Sequence, residues 1–477
     1  MPHFKEDKVC QGLTFADCEL AILRQAVDKA EELQGRKAAN SGEVKRIIGI
    51  VETFLRNKKL ICYGGTAINA ILPKQDQFYN KDVEIPDYDF YSANALNDAK
   101  ELVDIYLANG FQEVEAKSGQ HHGTFKVFVN FIPVADITSI PNELYKAIKS
   151  ESIKVGGILY APPNLLRMGM YLELSRPAGD VSRWEKVLKR LTLLNKHYPL
   201  KGKECQFIEF QRPMSNSLDA NMIYDNIQQT LIDQGVVFFG GYALSMYSHY
   251  MPKHLQHKLE KIPDFDVISE DAKLTAQIVK ERLMDMDVKK IKIVERPSVG
   301  EIIAPHYEIK VDKDTVAFIY QPIACHSYNI IKENGYEIKI ATIDTMLSFW
   351  LAFLYADRAY YDKDRILCMA NYLFQVQEKN RLAQRGLLKR FSLICMGHQT
   401  SVEELRAEKS EKYAELKGKR GKPEYDEWFL RYRPQDTFER ENVAKKDTKT
   451  TKPIKPIKTI KTTKTKKSKT KKKGWFY

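Results

Sequence analysis

The apolar positions of this chain repeat with two periods. Val44, Ile47, Ile48, Val51, Phe54 and Leu55 recur at three- and four-residue spacing, as do Met222, Ile223, Ile227 and Leu231, and each set predicts an amphipathic helix. Each helix leads into a short apolar run ending in Gly-Gly: LICYGGTAINAILP from Leu60 and VVFFGGYALSMYSHYMP from Val236. Each run is followed by an Asp-x-Asp segment with alternating polarity, IPDYDFYS from Ile85 and IPDFDVIS from Ile262. The first Gly precedes the first Asp by 23 residues in one copy (Gly64 to Asp87) and by 24 in the other (Gly240 to Asp264). Further helices are predicted over Asn94 to Leu107 and Asp271 to Met284. Strand-like runs at Phe125 to Ile132 and Thr315 to Ile319 are paired as equivalents, followed by strands at Ile158 to Ala161 and Ile338 to Ala341. Helices over Leu165 to Leu174 and Met346 to Tyr355, each trailed by a basic cluster, close the two copies.

The same order of signals over about 140 residues points to an internal repeat. The fold class read from it is α+β, built twice in tandem. The predicted division is an N-terminal helical segment 1–40, a first domain 41–200, a second domain 201–385, a helical C-terminal region 386–444 and a disordered lysine-rich tail 445–477.

Charge refines this division. The 477 residues carry a formal net charge of +13, but fourteen lysines and the single acid Asp447 lie after Ala444, and the rest is balanced. A uniformly basic body is excluded. The tail, too poor in apolar residues to fold, suits a polyanion such as RNA; a solubilising or nuclear-localisation-like role is equally compatible with its composition. No stretch has the roughly 20 apolar residues of a membrane span, and MPHFKEDKVC lacks a signal-peptide core. Seven cysteines without a C-x-x-C pair are expected to be reduced, mostly buried thiols.

The candidate chemistry is concentrated in the first copy. A buried strand ending in Gly64-Gly65-Thr66 lets backbone N–H groups approach phosphate oxygens, although Gly-Gly after a strand is by itself usually a tight turn. Asp87 and Asp89, two apart on a strand, share a face while Tyr88 and Phe90 point to the core. Two such carboxylates repel one another, and oxygen ligands favour Mg²⁺ or Mn²⁺. Asp136, in Val-Ala-Asp-Ile-Thr, adds a third acid. Three acids beside a phosphate turn suit two-metal phosphoryl transfer.

Strand, Gly-Gly-Thr, helix, Asp-x-Asp and a later strand Asp together resemble the nucleotidyltransferase superfamily of DNA polymerase beta, CCA-adding enzymes and poly(A) polymerases. YGGTAINAIL with PDYDFYS is most similar to viral poly(A) polymerase catalytic subunits of the poxvirus and giant-virus type, over about residues 41 to 385. The resemblance implies two tandem nucleotidyltransferase-fold domains. It implies Asp87, Asp89 and Asp136 as catalytic ligands of two Mg²⁺ or Mn²⁺ ions, and Gly64, Gly65 and Thr66 as the nucleotide cradle. It further implies ATP as substrate, an RNA 3′ end as acceptor, a homodimer or a processivity subunit as partner, no membrane, and a location in the host cytoplasm or the virion. Base choice comes from the resemblance alone. The 23-residue spacing is longer than the superfamily's and implies an insertion about Lys74 to Glu84, to which the sequence assigns no role.

Arg183, Lys186 and Arg190 are candidate RNA or triphosphate contacts; a solvated helix face explains their spacing as well. The second copy has Tyr320-Gln-Pro-Ile-Ala-Cys-His-Ser where a third acid is sought, so the second domain reads as degenerate unless His326, Asp312 or Asp314 substitutes. His121 and His122 are expected to face opposite ways at the surface. Phe349, Trp350, Phe353, Tyr355, Tyr360 and Tyr361 have core spacing, and there is no P-loop motif. A nucleotidyltransferase with a tRNA or small-molecule acceptor, or a non-catalytic RNA-binding scaffold, are the alternatives that activity on an RNA primer separates.

Overall fold

The computed structural model describes residues 8–80, 82–210, 220–256, 265–356, 358–380 and 383–435. The tail 445–477 and Asp264 lie outside the described residues. The first half runs α1 (Phe15–Ala39), α2 (Gly42–Lys58), β1 (Ile61–Cys62), α3 (Gly64–Ile71), β2 (Tyr88–Ser92), α4 (Ala95–Ala108), β3 (Val114–Ser118), β4 (Thr124–Val129), β5 (Ile132–Ser139), α5 (Asn142–Ser150), β6 (Ile153–Val155), β7 (Ile158–Tyr160), α6 (Pro163–Leu174) and α7 (Trp184–His197). The second runs α8 (Ala220–Asp233), β8 (Val237–Phe238), α9 (Gly241–Ser248), β9 (Phe265–Ile268), α10 (Ala272–Asp285), β10 (Ile291–Arg296), β11 (His306–Val311), β12 (Asp314–Tyr320), β13 (His326–Glu333), β14 (Tyr336–Ala341), α11 (Ile343–Phe353) and α12 (Lys363–Lys379). Beyond it come β15 (Cys395–Met396), α13 (Val402–Leu416), α14 (Pro423–Phe429) and β16 (Arg431–Tyr432).

The strands form two eight-stranded sheets, in the orders β16-β3-β4-β5-β2-β1-β7-β6 and β10-β11-β12-β9-β8-β14-β13-β15. Apart from one added edge strand each, the two orders correspond strand for strand. The region after residue 385, read from sequence as helical, thus also contributes β15 and β16, one to each sheet.

The periodic apolar positions account for the packing. In α2, Val44, Ile47, Val51, Phe54 and Leu55 are buried on one face, and the Ser41 side chain caps the helix by accepting from the Val44 N–H at 3.1 Å. Each such side chain contributes roughly 1.5–3 kcal/mol of burial. Every residue of α11 is buried, because it packs against α6 of the first half as well as the sheet of its own. The Ser327 N–H donates to the Ser175 carbonyl at 2.9 Å across the same seam. Phe349, Trp350, Phe353, Tyr355 and Tyr361 lie in this interior, as their spacing predicts.

The cysteines depart from expectation. Cys10–Cys18, Cys205–Cys368 and Cys325–Cys395 are disulfide pairs, and Cys62 is a buried thiol. Two of the pairs join positions 163 and 70 residues apart, brought together by the tertiary fold and invisible in local spacing.

Candidate active site

β1 and β2 are antiparallel, with Ile61 opposite Tyr91 and Cys62 opposite Phe90, and the Tyr63 N–H donates to the Asp89 carbonyl at 2.9 Å. The chain then turns into α3 through Gly64, at φ +71°, where a Cβ would stand 2.5 Å from Asp89 Oδ2. Only glycine fits both the backbone and the space. A Cβ on Gly65 would stand 2.5 Å from the Tyr79 hydroxyl and 2.8 Å from Arg190 Nη1. The free N–H groups of the first turn of α3 thus lie beside a carboxylate wall and a guanidinium, an arrangement suited to a phosphate chain carrying cations. The Thr66 hydroxyl donates to the Asp87 carbonyl at 2.7 Å, tying the turn to the start of β2.

Along β2 the side chains alternate: Tyr88 and Phe90 are buried, while Asp89 and Tyr91 face a cleft of about 1240 Å³ that Asp87 and Asp136 also line. β2 and β5 are parallel with Asp89 directly opposite Asp136. Burial pushes the Asp89 carboxyl up to about 7, with the Asp87 and Asp136 carboxylates adding to the shift. Asp87 moves in the same direction, from desolvation first and Asp136 second. Asp136 is ion-paired through Oδ2 to the Lys126 ammonium on β4, while its Oδ1 is buried with no hydrogen-bond partner.

The three predicted acids therefore share one cleft. Among the described residues, however, no group of three acidic, His or Cys side chains is gathered as a metal cage. Asp136 leans instead on Lys126, which relieves part of the repulsion among the carboxylates. Raised acids, an orphaned carboxylate oxygen and an all-oxygen donor set are what a hard divalent cation satisfies, so these residues fit Mg²⁺ or Mn²⁺.

The three predicted basic residues take separate roles. Arg183 ends the short turn before α7, and its Nε is 3.1 Å from Glu173 Oε1. Lys186, in the first turn of α7, lines the cleft with no ion pair among the described residues. Arg190 is built into the wall: its Nη2 donates to the Tyr79 hydroxyl at 2.7 Å, and its guanidinium lies 4.8 Å from the Phe78 ring centroid. Phe78 and Tyr79 belong to the inserted segment, whose backbone N–H groups donate to Asn69 Oδ1 at 2.7 and 2.9 Å. Asp76 pairs with Lys196 and His197 of α7. The insertion is thus the strap that joins α3 to α7 and forms one wall of the cleft.

Lys126, Tyr79 and the stacked pair Tyr63–Tyr91, with ring centroids 4.0 Å apart, line or border this site and were not singled out by sequence. The signal for Lys126 would have been its strand register against Asp136. His121 lines the cleft while the His122 ring lies tilted against Trp428 with centroids 4.3 Å apart, so the adjacent histidines diverge as expected.

In the second sheet Asp266 stands opposite Phe318, the position that corresponds to Asp136. The expectation of a third acid past Tyr320 takes Thr315 to Ile319 as the counterpart of Phe125 to Ile132. The strand order instead pairs β11 with β4 and β12 with β5, and no acid stands at the corrected position either. Asp312 and Asp314 sit at the far end of the β11–β12 hairpin, about 13 Å along the strand from Phe318. His326 is fully buried against Phe349, and burial pulls its imidazole down to about 3. None of the three stands at the position that Asp136 occupies in the first sheet.

Residues 49–180 match the family of poly(A) polymerase catalytic subunits. A protein of African swine fever virus (isolate Pig/Kenya/KEN-50/1950) named as a poly(A) polymerase catalytic subunit is 32% identical over 180 residues, covering 36% of this chain and 38% of that protein. The chain thus spans well under half the length of that relative. A protein of the same name from Acanthamoeba polyphaga mimivirus is 25% identical over 426 residues, covering 80% of this chain and 71% of its own. The crystal structure of the Megavirus polyadenylate synthase superposes with a TM-score of 0.74 at 21% identity, covering 94% of this chain and 92% of that one, so the two share a fold. The segment that matches the family of viral poly(A) polymerase catalytic subunits, residues 49–180, holds the glycine turn and all three acids.

Proposed function

We propose that this protein is a template-independent polynucleotide adenylyltransferase that transfers AMP from ATP to the 3′-hydroxyl of RNA. We further propose that its first half, about residues 41–200, is the catalytic nucleotidyltransferase domain and its second, about 201–385, a degenerate copy. The observation that carries the reading is the direct pairing of Asp89 with Asp136 beside Gly64, in a cleft walled by Lys186 and Arg190.

In the reaction the RNA O3′ forms a bond to the α-phosphorus of ATP, the bridging Pα–O–Pβ bond breaks, pyrophosphate leaves and the hydroxyl proton passes to solvent. Two Mg²⁺ or Mn²⁺ ions, when bound, lower the pKa of the attacking hydroxyl and neutralise charge on the leaving oxygen. Asp87 and Asp89 would hold both, and Asp136, with its unpartnered Oδ1, the one beside the hydroxyl. The Gly64-Gly65-Thr66 turn and Lys186 receive the triphosphate. Arg190 holds Tyr79 over Gly65 and so keeps the turn in shape. Lys126 compensates Asp136 in the absence of a cation.

Purified protein is incubated with an RNA primer, Mg²⁺ or Mn²⁺ and each NTP in turn, together with Asp87→Ala, Asp136→Ala and Asp264→Ala. ATP alone should extend the primer well, the first two variants should be inactive, and the third should retain single additions. Elongation that survives Asp136→Ala and is lost with Asp264→Ala would move the active site to the second half; no elongation with any nucleotide would favour a scaffold.

A further inference from the structure

The cleft face of the first sheet continues past the acids. Residues directly opposite one another on paired strands project to the same face, and one such row crosses the sheet. Asp89 is opposite Asp136, Asp136 opposite Lys126, Lys126 opposite Lys117, and Lys117 opposite Arg431. At about 4.8 Å per strand, Lys117 lies about 10 Å and Arg431 about 14 Å from Asp136. The other face of these strands, carrying Val114, Ala116, Phe125 and Val127, is buried and packs on α4. The charged row is therefore the open side.

The far end of the row borders a second groove, of about 240 Å³, lined by Glu113, Val114, Glu115, Lys117, Phe128, Phe131 and Arg433. Two of its carboxylates are committed: Glu113 to Arg433 at 2.9 Å and Glu115 to Arg431 at 3.2 Å. Lys117 has no ion pair among the described residues and lies 4.0 Å from the Phe128 ring centroid. Phe131 is 83% exposed in a turn where both it and Asn130 have positive φ. A large ring displayed to solvent on a left-handed turn contributes nothing to the core. Counting Arg431 at its edge, the groove sets three cations (Lys117, Arg431 and Arg433) against two carboxylates, and with two aromatic rings this forms the pattern that binds single-stranded nucleic acid without sequence preference.

We propose that this groove holds the body of the acceptor RNA, with phosphates on Lys117 and Arg431 and a base stacked on Phe131. The row from Asp136 outward is then the path of the strand away from its 3′ end. The span of about 10 to 14 Å corresponds to about three to four stacked nucleotides upstream of the reacting end. The proposal rests on the adenylyltransferase reading and adds to it a subsite distinct from the catalytic cleft.

The test uses the full chain and two fluorescent oligoadenylates, a trinucleotide and a dodecanucleotide, with Lys117→Ala, Phe131→Ala and Phe131→Trp. Both alanine variants should bind the dodecanucleotide about ten-fold more weakly, while trinucleotide binding and the KM for ATP stay unchanged. Lys117→Ala should also flatten the salt dependence of dodecanucleotide binding by about 0.7 in log–log slope, and Phe131→Trp should restore the affinity. Unchanged dodecanucleotide affinity in both alanine variants, or an equal loss for both lengths, overturns the groove assignment while leaving the function intact. A wild-type protein that binds neither oligonucleotide overturns the adenylyltransferase reading itself, and the groove with it.

Discussion

The two glycine turns offer a matched pair of perturbations. Gly64→Ala puts a methyl group 2.5 Å from Asp89 Oδ2 at a residue whose φ is +71°. The left-handed backbone costs an alanine about 1–2 kcal/mol. The carboxylate is the free end of a side chain facing the cleft, so it can retreat by about 1 Å to reach ordinary contact. That retreat is inexpensive for folding and damaging for chemistry, since a ligand displaced by about 1 Å costs on the order of 100-fold in rate. Gly240→Ala creates the corresponding collision with the Asp266 carboxylate at an ordinary φ of −87°. Asp266 is only 7% exposed and cannot retreat into solvent, so the collision should be expressed as about 1–3 kcal/mol of lost stability. Single-nucleotide addition and thermal unfolding are measured on both variants. Gly64→Ala should lose at least about 100-fold in kcat with a small fall in Tm; Gly240→Ala should lose Tm and keep kcat. A Gly64→Ala enzyme with near wild-type kcat, or an equal kcat loss in the two, would refute the assignment of chemistry to the first half.

Other expectations follow from the charge distribution. The Asp89 carboxyl, raised to about 7 in the folded protein, binds its proton more tightly than when unfolded, so stability is lost as pH rises from about 4 through 7. Asp89→Asn removes that loss and, in EDTA, should raise unfolding stability at pH 8 by about 1–3 kcal/mol after allowance for solvent screening. The gain should vanish near pH 4, and Mg²⁺ should stabilise the wild type alone; a gain equal at both pH values would count against the argument. His306 and His326 are lowered by burial to about 4 and about 3, so the unfolded chain takes up their protons first and stability falls as pH drops below about 6.5. At pH 4 the His306 shift alone corresponds to about 3 kcal/mol, and His326→Leu should flatten the acid limb of a Tm-against-pH curve; an unchanged limb would mean that other groups govern acid unfolding. Truncation after Ala444 should leave single additions intact and shorten products at moderate salt, whereas equal product lengths at every salt concentration would show that the lysine-rich segment is no tether.

The parts of this protein that were legible in its sequence are those encoded over short distances. Three- and four-residue spacing marks α2 and α8, and alternation about Asp87 and Asp89 separates the cleft face of β2 from its core face. The glycine turn and the three acids, which the structure brings to one cleft, stood out because each is a short motif of distinctive residue types at a strand end. What was missed depends on pairing between distant segments. Lys126 reaches Asp136 through the register of β4 on β5, Tyr79 meets Arg190 across 111 positions, and Cys205 meets Cys368 across 163. The counterpart of Asp136 is Phe318 and no position past Tyr320, which the sequence does not show because an apolar run of strand length carries no label of its partner. The two-residue strands β15 and β16 have no periodicity to detect at all; only the open edges of the sheets select them.

The same strand order supports opposite environments in the two halves, and the side chains at corresponding positions show how. Where the first sheet places Tyr63, Asp136 and Thr138 toward a cleft, the second places Phe239, Phe318 and Tyr320. These rings are completely buried and packed against Phe349, Phe353 and Tyr360 at centroid distances of 4.7 to 5.6 Å. Lys126 of β4 is matched by Glu308 of β11, which turns to Arg296 and Thr315 instead of to a carboxylate neighbour. The burial pattern of β2 alternates, whereas all four residues of β9 are buried. Aromatic side chains that each bury about 150–250 Å² turn the second face into core, and α11, standing on that core, presses against α6 in the wall of the cleft. A repelling pair such as Asp89 and Asp136 is tolerated only where surrounding packing holds it in place. The filled face supplies that rigidity, so loosening it with Phe318→Ala should lower stability and disturb primer elongation without altering any residue of the cleft.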